Sequence, residues 1–381
     1  ADNLGVCSNG TACQYQEDVY RDNVLLTRVL SQSAVASGTF FFDYTAQRIY
    51  VGDDPTGHVL EGAATEYAFA GNAQGAGSGV TIQGLIIEKY ANPAGYGAVG
   101  QTSIGDNWVI SGNEIRYNHG LGIFLGHTGA RIVNNNIHHN GQLGIGGSGG
   151  GSGYIMNAMV QGNEIAYNNT VGFVPGWEAG GIKLVHYATA VTVQSNFIHH
   201  NYGIGLWSDG FCDQLVYTGN QIEDNAFGGI LHEISYSATI QNNTISRNGF
   251  SDPSLSEGDG IEIASSGGTG IDISGNTLVG NKNGIMLTQA DRGTAPDGTP
   301  LVTKNVSVHD NTVALGSGQH HGADRYSGDT GLWTTNNNHF QHNIYNLQTA
   351  DAAPFIWTND ALLTDSQWKA AGNDTTGTFN R

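Results

Sequence analysis

One short unit returns along the middle of the chain: a small residue, Asn, any residue, an aliphatic one, two more residues and Asn again. It occupies positions 112–118, 134–140, 162–168, 195–201, 219–225, 242–248 and 275–281. Its first asparagines are Asn113, Asn135, Asn163, Asn196, Asn220, Asn243 and Asn276, spaced 22, 28, 33, 24, 23 and 33 residues apart. That is about one coil of a β-solenoid, lengthened in places by insertions. Most units lead into a Gly-Ile or Gly-Phe step, as at Gly122-Ile123, Gly144-Ile145, Gly172-Phe173, Gly203-Ile204, Gly229-Ile230, Gly260-Ile261 and Gly284-Ile285.

A coil of this length cannot bury its apolar row alone, so coils stack and share a core at ~4.8 Å per step. Asn suits the corners because it tolerates left-handed backbone and its amide can bond to the copy above. Helical and leucine-rich solenoids are disfavoured by the missing 3.6-residue period and Leu framework, and a propeller blade needs longer units. The expected fold is all-β, a single-stranded right-handed parallel β-helix forming one continuous domain. Residues 1–65 read as an N-terminal cap with first strands, 66–316 as coils, and 317–381 as closing strands with a short helix. Within the cap, 16–30 reads as helical and 39–43 with 48–51 as paired strands. Near the end, 344–347 and 354–357 read as strands and 365–371 as a helix after Thr364. Insertions at 147–156, 169–180, 249–258 and 289–303 read as loops, where sites on rigid scaffolds gather.

The 381 residues include 57 Gly and only 12% charged residues, which suits short strands and many turns. A net charge of -19 repels phosphate backbones and anionic lipid, which excludes nucleic acid and membrane surfaces as partners. No apolar run reaches the ~18 residues of a membrane span. Cys7 and Cys13 bracket a turn and suit a small disulfide, leaving Cys212 as a buried thiol. The start of the chain, Ala-Asp-Asn, carries no basic or apolar signal region, so the reading is a mature, secreted, extracellular protein.

Aligning Gly181, Gly203, Gly229, Gly260 and Gly284 turns the repeat into columns, since alternate strand residues face outward. The third position then holds Lys183, Gly205, Leu231, Glu262 and Met286; the fifth Val185, Trp207, Glu233, Ala264 and Thr288; the seventh Tyr187, Asp209, Ser235, Ser266 and Ala290. One outer face thus gathers Lys183, Trp207, Asp209, Glu233 and Glu262. This register puts the Cα atoms of Asp209 and Glu233 about 8 Å apart, one coil up and two residues along. The insertion before the column brings Trp177 and Glu178 to its rim. Trp177, Trp207 and Tyr187 suit stacking on sugar rings, and a carboxylate pair suits acid–base work on a glycosidic bond. His232 alternates inward and reads as a satisfied core residue with a secondary place among substrate contacts. The pairs His138-His139 and His199-His200 recur at equal repeat positions and read as structural. No cofactor is called for. The acidic excess leaves room for calcium, although no Asp-x-Asp-x-Asp-Gly loop is present and no metal ligands are assigned.

From about Val80 to Val313, units such as Gly162-Asn-Glu-Ile-Ala-Tyr-Asn168 and Gly219-Asn-Gln-Ile-Glu-Asp-Asn225 resemble the right-handed β-helix repeat proteins of the pectate-lyase-like superfamily. The segments Trp177-Glu-Ala-Gly-Gly-Ile-Lys183, Gly205-Leu-Trp-Ser-Asp209 and His232-Glu-Ile-Ser235 look like those of secreted bacterial members, mostly uncharacterised. The resemblance implies carbohydrate chemistry in a groove along the outside of the helix, by hydrolysis, elimination, ester cleavage or epimerisation. The combined Asn-Thr-Asp, Asp-Asp and Gly-His-Gly set of polygalacturonases is absent, the only Asp-Asp being Asp53-Asp54 near the cap, and the Asp-Pro-His motif of alginate epimerases is absent too. The expectation is a glycoside hydrolase acting on a polysaccharide or oligosaccharide, with Glu233 as general acid, Asp209 as base or nucleophile and Glu178 in reserve. A polysaccharide lyase or uronate epimerase would use Lys183 as base. A structural or adhesive β-helix would bind glycan without cleaving it.

Overall fold

The computed structural model describes every residue except 1–5, 9, 72–76, 150–153, 256 and 349–352. Parts of the insertions at 147–156 and 249–258, and Asn9 in the disulfide loop, therefore lie outside the described residues. Three sheets of 10, 11 and 11 strands, parallel except for the antiparallel edge strand Leu362–Leu363 of the third, form the walls of a solenoid as successive coils add strands to each. The stack is in strict register. In the second sheet Ile115, Ile137, Ile165, Ile198, Ile222, Ile245, Leu278 and Val313 follow one another on successive coils. All eight belong to one continuous apolar core. Full burial of each is worth about 1.5–3 kcal/mol, far more than any single strand pair could supply alone.

The repeated asparagines form two ladders. In the first, the backbone N–H and the side-chain amide of each Asn donate to the Oδ1 of the next, from Asn113 through Asn135, Asn163, Asn196, Asn220 and Asn243 to Asn276. Asn311 and Asn343 extend it, and Asp374 closes it as a pure acceptor. The second ladder runs from Asn118 through Asn140, Asn168, Asn201, Asn225 and Asn248 to Asn281. Left-handed backbone falls on the residue before each first-ladder Asn, such as Gly112 (φ 63°), Asn134 (φ 56°) and Ser195 (φ 53°). This explains why the unit opens on a small residue.

Residues 16–30 are not helical. Val19–Arg21 pairs antiparallel with Val24–Leu25, and the two residues between, Asp22 (φ 51°) and Asn23 (φ 65°), form a tight hairpin turn with both φ positive. Such a turn matches the twist of its strands, and the pairing outweighs the helical reading. The strands at Thr39–Asp43 and Arg48–Val51 pair as expected. This N-terminal segment docks on the flank of the solenoid, where Asp18 Oδ2 meets His119 Nδ1 at 2.9 Å and the Tyr20 hydroxyl donates to the Tyr117 carbonyl at 2.6 Å. Cys7 and Cys13 are joined by a disulfide, and Cys212 is a buried free thiol that burial pushes up to about 12.

The expected closing strands form at Ile344–Leu347 and Phe355–Ile356, and residues 317–381 add further coil strands at His321–Arg325, His339–Gln341 and Thr378–Asn380. The helix Asp365–Ala370, capped reciprocally by Thr364 and Gln367, lays the fully buried Trp368 over the end of the core, 4.7 Å from the stacked Phe355 ring. The histidine pairs are structural: His138 and His199 face Glu114 and Glu164 at 3.2 Å, while His139 and His200 stack on Tyr167. Among the described residues no helix is long and apolar enough to cross a membrane.

Candidate active site

The third sheet carries the outer face of interest on the strands Gly180–Val185, Ile204–Asp209, Gly228–Glu233, Asp259–Ala264 and Asn283–Gln289. Its register differs from the expected one in a single strand. Lys183 pairs with Trp207, Trp207 with Leu231, and Leu231 with Glu262; Asp209 pairs with Glu233. The corner glycine of the second strand is therefore Gly205, not Gly203. Glycine is demanded there because a Cβ on Gly205 would meet the ladder amide of Asn225 at 2.8 Å and Ile222 Cγ2 at 3.0 Å. Gly181 and Gly229 are hemmed in by Asn201 and Asn248 in the same way. A shift of two residues preserves which side chains face out. It brings Asp209 and Glu233 directly abreast, with backbones ~4.8 Å apart.

Lys183 is buried in this column. Its Nζ lies 3.2 Å from Asp209 Oδ2, donates to the Trp177 carbonyl at 2.5 Å and sits 3.3 Å over the centre of the Trp207 ring. On the other side of Asp209, burial and then the Asp209 charge push the Glu233 carboxyl up to about 7. Arg292, 3.4 Å from Glu233 Oε2, and Lys183 oppose that rise. The Trp207 indole N–H is buried without a hydrogen bond of normal geometry, yet lies near enough to Glu233 to favour its ionised form slightly.

Glu233 borders a hollow of about 230 Å³ whose walls include Trp207, Phe227, Glu257, Glu262, Arg292 and Tyr326. Glu262 accepts a hydrogen bond from Thr288 Oγ1 at 2.8 Å. Its carboxyl is pushed up to about 8, by burial first and then by the charges of Glu257, Glu233 and Asp252, against the pull of Thr288. Asp252, Glu257 and Arg292 come from the insertions at 249–258 and 289–303. Those insertions were legible as loops, but nothing in the repeat shows which loop residues fold back over the face.

The remaining candidates divide by position. Trp177 is 54% exposed on the short helix Pro175–Glu178 and stands at the rim. Glu178, next to it, has its carboxyl raised by burial and by Asp209, with Lys183 and His186 opposing; it lines a second, smaller hollow with Lys183 and His186. Trp207 is only 3% exposed and one of its faces is taken by the Lys183 ammonium, so the broad sugar platform expected there is covered. Tyr187 lies 38% exposed at the turn after the strand, its ring 5.3 Å from Phe211. His232 does not reach the outer face. It is fully buried, accepts from or donates to Ser208 Oγ at 2.7 Å through Nδ1 and meets the Tyr236 carbonyl at 3.0 Å through Nε2, and burial pulls it down to about 4. A neutral ring that donates from Nε2 and accepts at Nδ1 satisfies both partners, which is a structural role. Among the described residues no group of three His, Cys, Asp or Glu side chains is placed to hold a metal ion.

The family described as the right handed beta helix region matches residues 98–298 of the chain. Among solved structures, the chain is similar to the complex of XylC with xylose, at 16% identity and a TM-score of 0.57, over 90% of this chain and 66% of that one. It thus spans slightly less than two thirds of that protein. It is also similar to the catalytic unit of a thermostable GH87 alpha-1,3-glucanase from Streptomyces thermodiastaticus strain HF3-3, at 13% identity and a TM-score of 0.50, over 96% of this chain and 84% of that one. At such identities the likeness is one of fold. No curated protein matches the chain.

Proposed function

The chain belongs to the right-handed β-helix family, matched over more than half its length, and from that premise we propose that it is a secreted glycoside hydrolase acting on a polysaccharide or oligosaccharide along the outer face of the third sheet. The observation that carries this reading is the pairing of Asp209 with Glu233, in which one carboxyl is raised to about 7 and the other is ion-paired with Lys183. Two adjacent carboxyls in different electrostatic surroundings are what glycoside cleavage requires.

In this reading Glu233 gives its proton to the glycosidic oxygen as the bond to the anomeric carbon breaks, so the leaving sugar departs as an alcohol. The Asp209 carboxylate attacks the anomeric carbon, and Glu233, now ionised, takes a proton from the water that releases the sugar. The abreast register supports the nucleophilic role for Asp209, since retaining enzymes hold their carboxyls about 5–5.5 Å apart. Two structures sharing the fold, a complex with xylose and the catalytic unit of an alpha-1,3-glucanase, are in keeping with it. Lys183 argues against the lyase or epimerase alternative, because a general base must offer a free lone pair, whereas this ammonium is engaged with Asp209, the Trp177 carbonyl and the Trp207 ring.

The test is a screen of neutral, amino and uronic-acid polysaccharides for new reducing ends and for ultraviolet-absorbing unsaturated products. Reducing ends lost in Glu233→Gln, with sugar binding kept, are the expected result. Unsaturated products that depend on Lys183 would establish the lyase, and binding without any product would establish the adhesive reading.

A further inference from the structure

The wall of the hollow beside Glu233 holds more carboxyls than glycoside cleavage needs. Besides Glu233 its wall presents Asp252, Glu257 and Glu262. Behind Glu262 lies Asp259, fully buried, with neither carboxylate oxygen in a hydrogen bond of normal geometry among the described residues. The nearby cations do not balance this. Lys282 spends its ammonium on the carbonyls of Asp252, Ser254 and Glu257 and reaches the Asp252 carboxylate only at 3.7 Å. Arg292 comes no nearer to Glu233 than 3.4 Å. Glu262 and Asp259 have no cation at ion-pair distance among the described residues, and burial without one raises both carboxyls, that of Glu262 to about 8.

Among the described residues no three of these carboxyls are placed to hold a metal ion. A larger, softer cation fits better. Phe227 and Tyr326 bring rings to the same wall, and acids with rings beside them favour an organic ammonium through both ion pairing and ring faces. The buried Trp207 N–H, which has no acceptor of normal geometry, lies beside Glu233 in the same wall.

We propose that this hollow receives a sugar unit bearing a free ammonium group, so that the preferred ligand is a de-N-acetylated amino-sugar polymer. This rests on the reading of the outer face as a carbohydrate site and names its substrate class. The experiment is calorimetric binding of three hexasaccharides to the whole protein: glucosamine, N-acetylglucosamine and glucose, all β-1,4-linked. The glucosamine oligomer is expected to bind at least about tenfold more tightly than the other two, as a charge-assisted pairing would give. Glu262→Gln should erase most of that preference, and the loop double variant Asp252→Asn/Glu257→Gln should reduce it without relying on a buried substitution. Equal binding of the three sugars, or preference for the acetylated or neutral one, overturns the proposal. Binding is read apart from turnover. A glucosamine oligomer bound but never cut defeats the hydrolase and leaves this inference standing, and a neutral glycan cut with no amino preference does the reverse.

Discussion

The Lys183 ammonium stands 3.2 Å from the Asp209 carboxylate while resting 3.3 Å above the centre of the Trp207 ring. Both ends of the pair sit in a wall that excludes most water, although Asp209 keeps 23% of its side chain exposed. Replacing Lys183 by Met keeps the bulk of the stem but leaves Asp209 without its cation, beside Glu233. We expect a loss of about 3 kcal/mol in denaturant unfolding, the low end for a buried pair because Asp209 remains partly wet. Hydrolysis should fall steeply as well. A variant as stable as the wild type would show that the pair contributes nothing net.

Glu233 must be protonated to act as an acid, so kcat/KM should decline as pH rises past about 7, where its carboxyl titrates. The Arg292 charge lowers that value. Arg292→Gln should therefore carry the alkaline limb of the pH profile to higher pH, by up to about one unit for a half-exposed cation. An unmoved limb would remove Glu233 from the role of acid.

How far this face was legible in the sequence turns on one glycine. The fold followed from the Asn repeat, because ladder asparagines and stacked isoleucines leave a period that no other architecture explains. The same regularity held the correct register. Second-ladder asparagines precede their corner glycines by four residues at Asn118 and Gly122, Asn140 and Gly144, Asn201 and Gly205, and Asn225 and Gly229. Choosing Gly203 broke that interval by two, and an even slip still put the acids outward, so the face survived while the Asp209–Glu233 adjacency was missed. The hairpin at Asp22-Asn23 was hidden differently: its pairing is with residues 60–62 as well as with its own return strand, and local apolar spacing is silent about such partners. Asp252, Glu257 and Arg292 sit on insertions, which have no period to read.

Glu262 supplies a test that is independent of turnover. Its carboxyl titrates near 8 in the folded chain against about 4.3 unfolded. Between those values the native state binds the extra proton, so the slope of unfolding free energy with pH is negative and stability falls as pH rises. Glu262→Gln abolishes this group's titration. Its unfolding free energy relative to the wild type should thus improve between pH 5 and pH 8, read from urea titrations at both. A difference that does not change with pH would mean that Glu262 ionises in the fold much as it does in the unfolded chain.

The N-terminal segment should be loosened by alkali. Burial works to lower the pKa of His119, but the charge and hydrogen bond of Asp18, with the Cys13 carbonyl 2.9 Å from Nε2, raise it overall. A histidine raised in the fold contributes stability that is complete below its unfolded value of about 6.5 and disappears as pH climbs through its folded one. Hydrogen-exchange protection of Val19–Arg21, corrected for intrinsic rates, should decline over that range, while the solenoid strands stay protected. In His119→Asn the decline should vanish, and a wild-type protection flat in pH would show that the ion pair does not hold the segment down.

The ladders predict that one chemical change will be costly in the middle and mild at the end. Asn196 must donate to Asn220 and accept from Asn163, so Asn196→Asp loses a donor and sets a carboxylate Oδ against the Asn220 Oδ1. A buried pair of acceptors with no proton between them should cost about 3 kcal/mol or more. Asp374, the last member, only accepts: from the Asn343 backbone and amide, and from the Tyr345 hydroxyl at 2.6 Å. Asp374→Asn keeps one acceptor oxygen for the Asn343 backbone and amide and puts at risk the contacts of the other, from the Tyr345 hydroxyl and the second approach of the Asn343 amide, a loss of about 1 kcal/mol. Urea unfolding of the two variants side by side decides the matter. Equal losses would mean that the ladder's direction is not what stabilises it, whereas a gap of about 2 kcal/mol or more assigns that stability to donors and acceptors alternating from coil to coil.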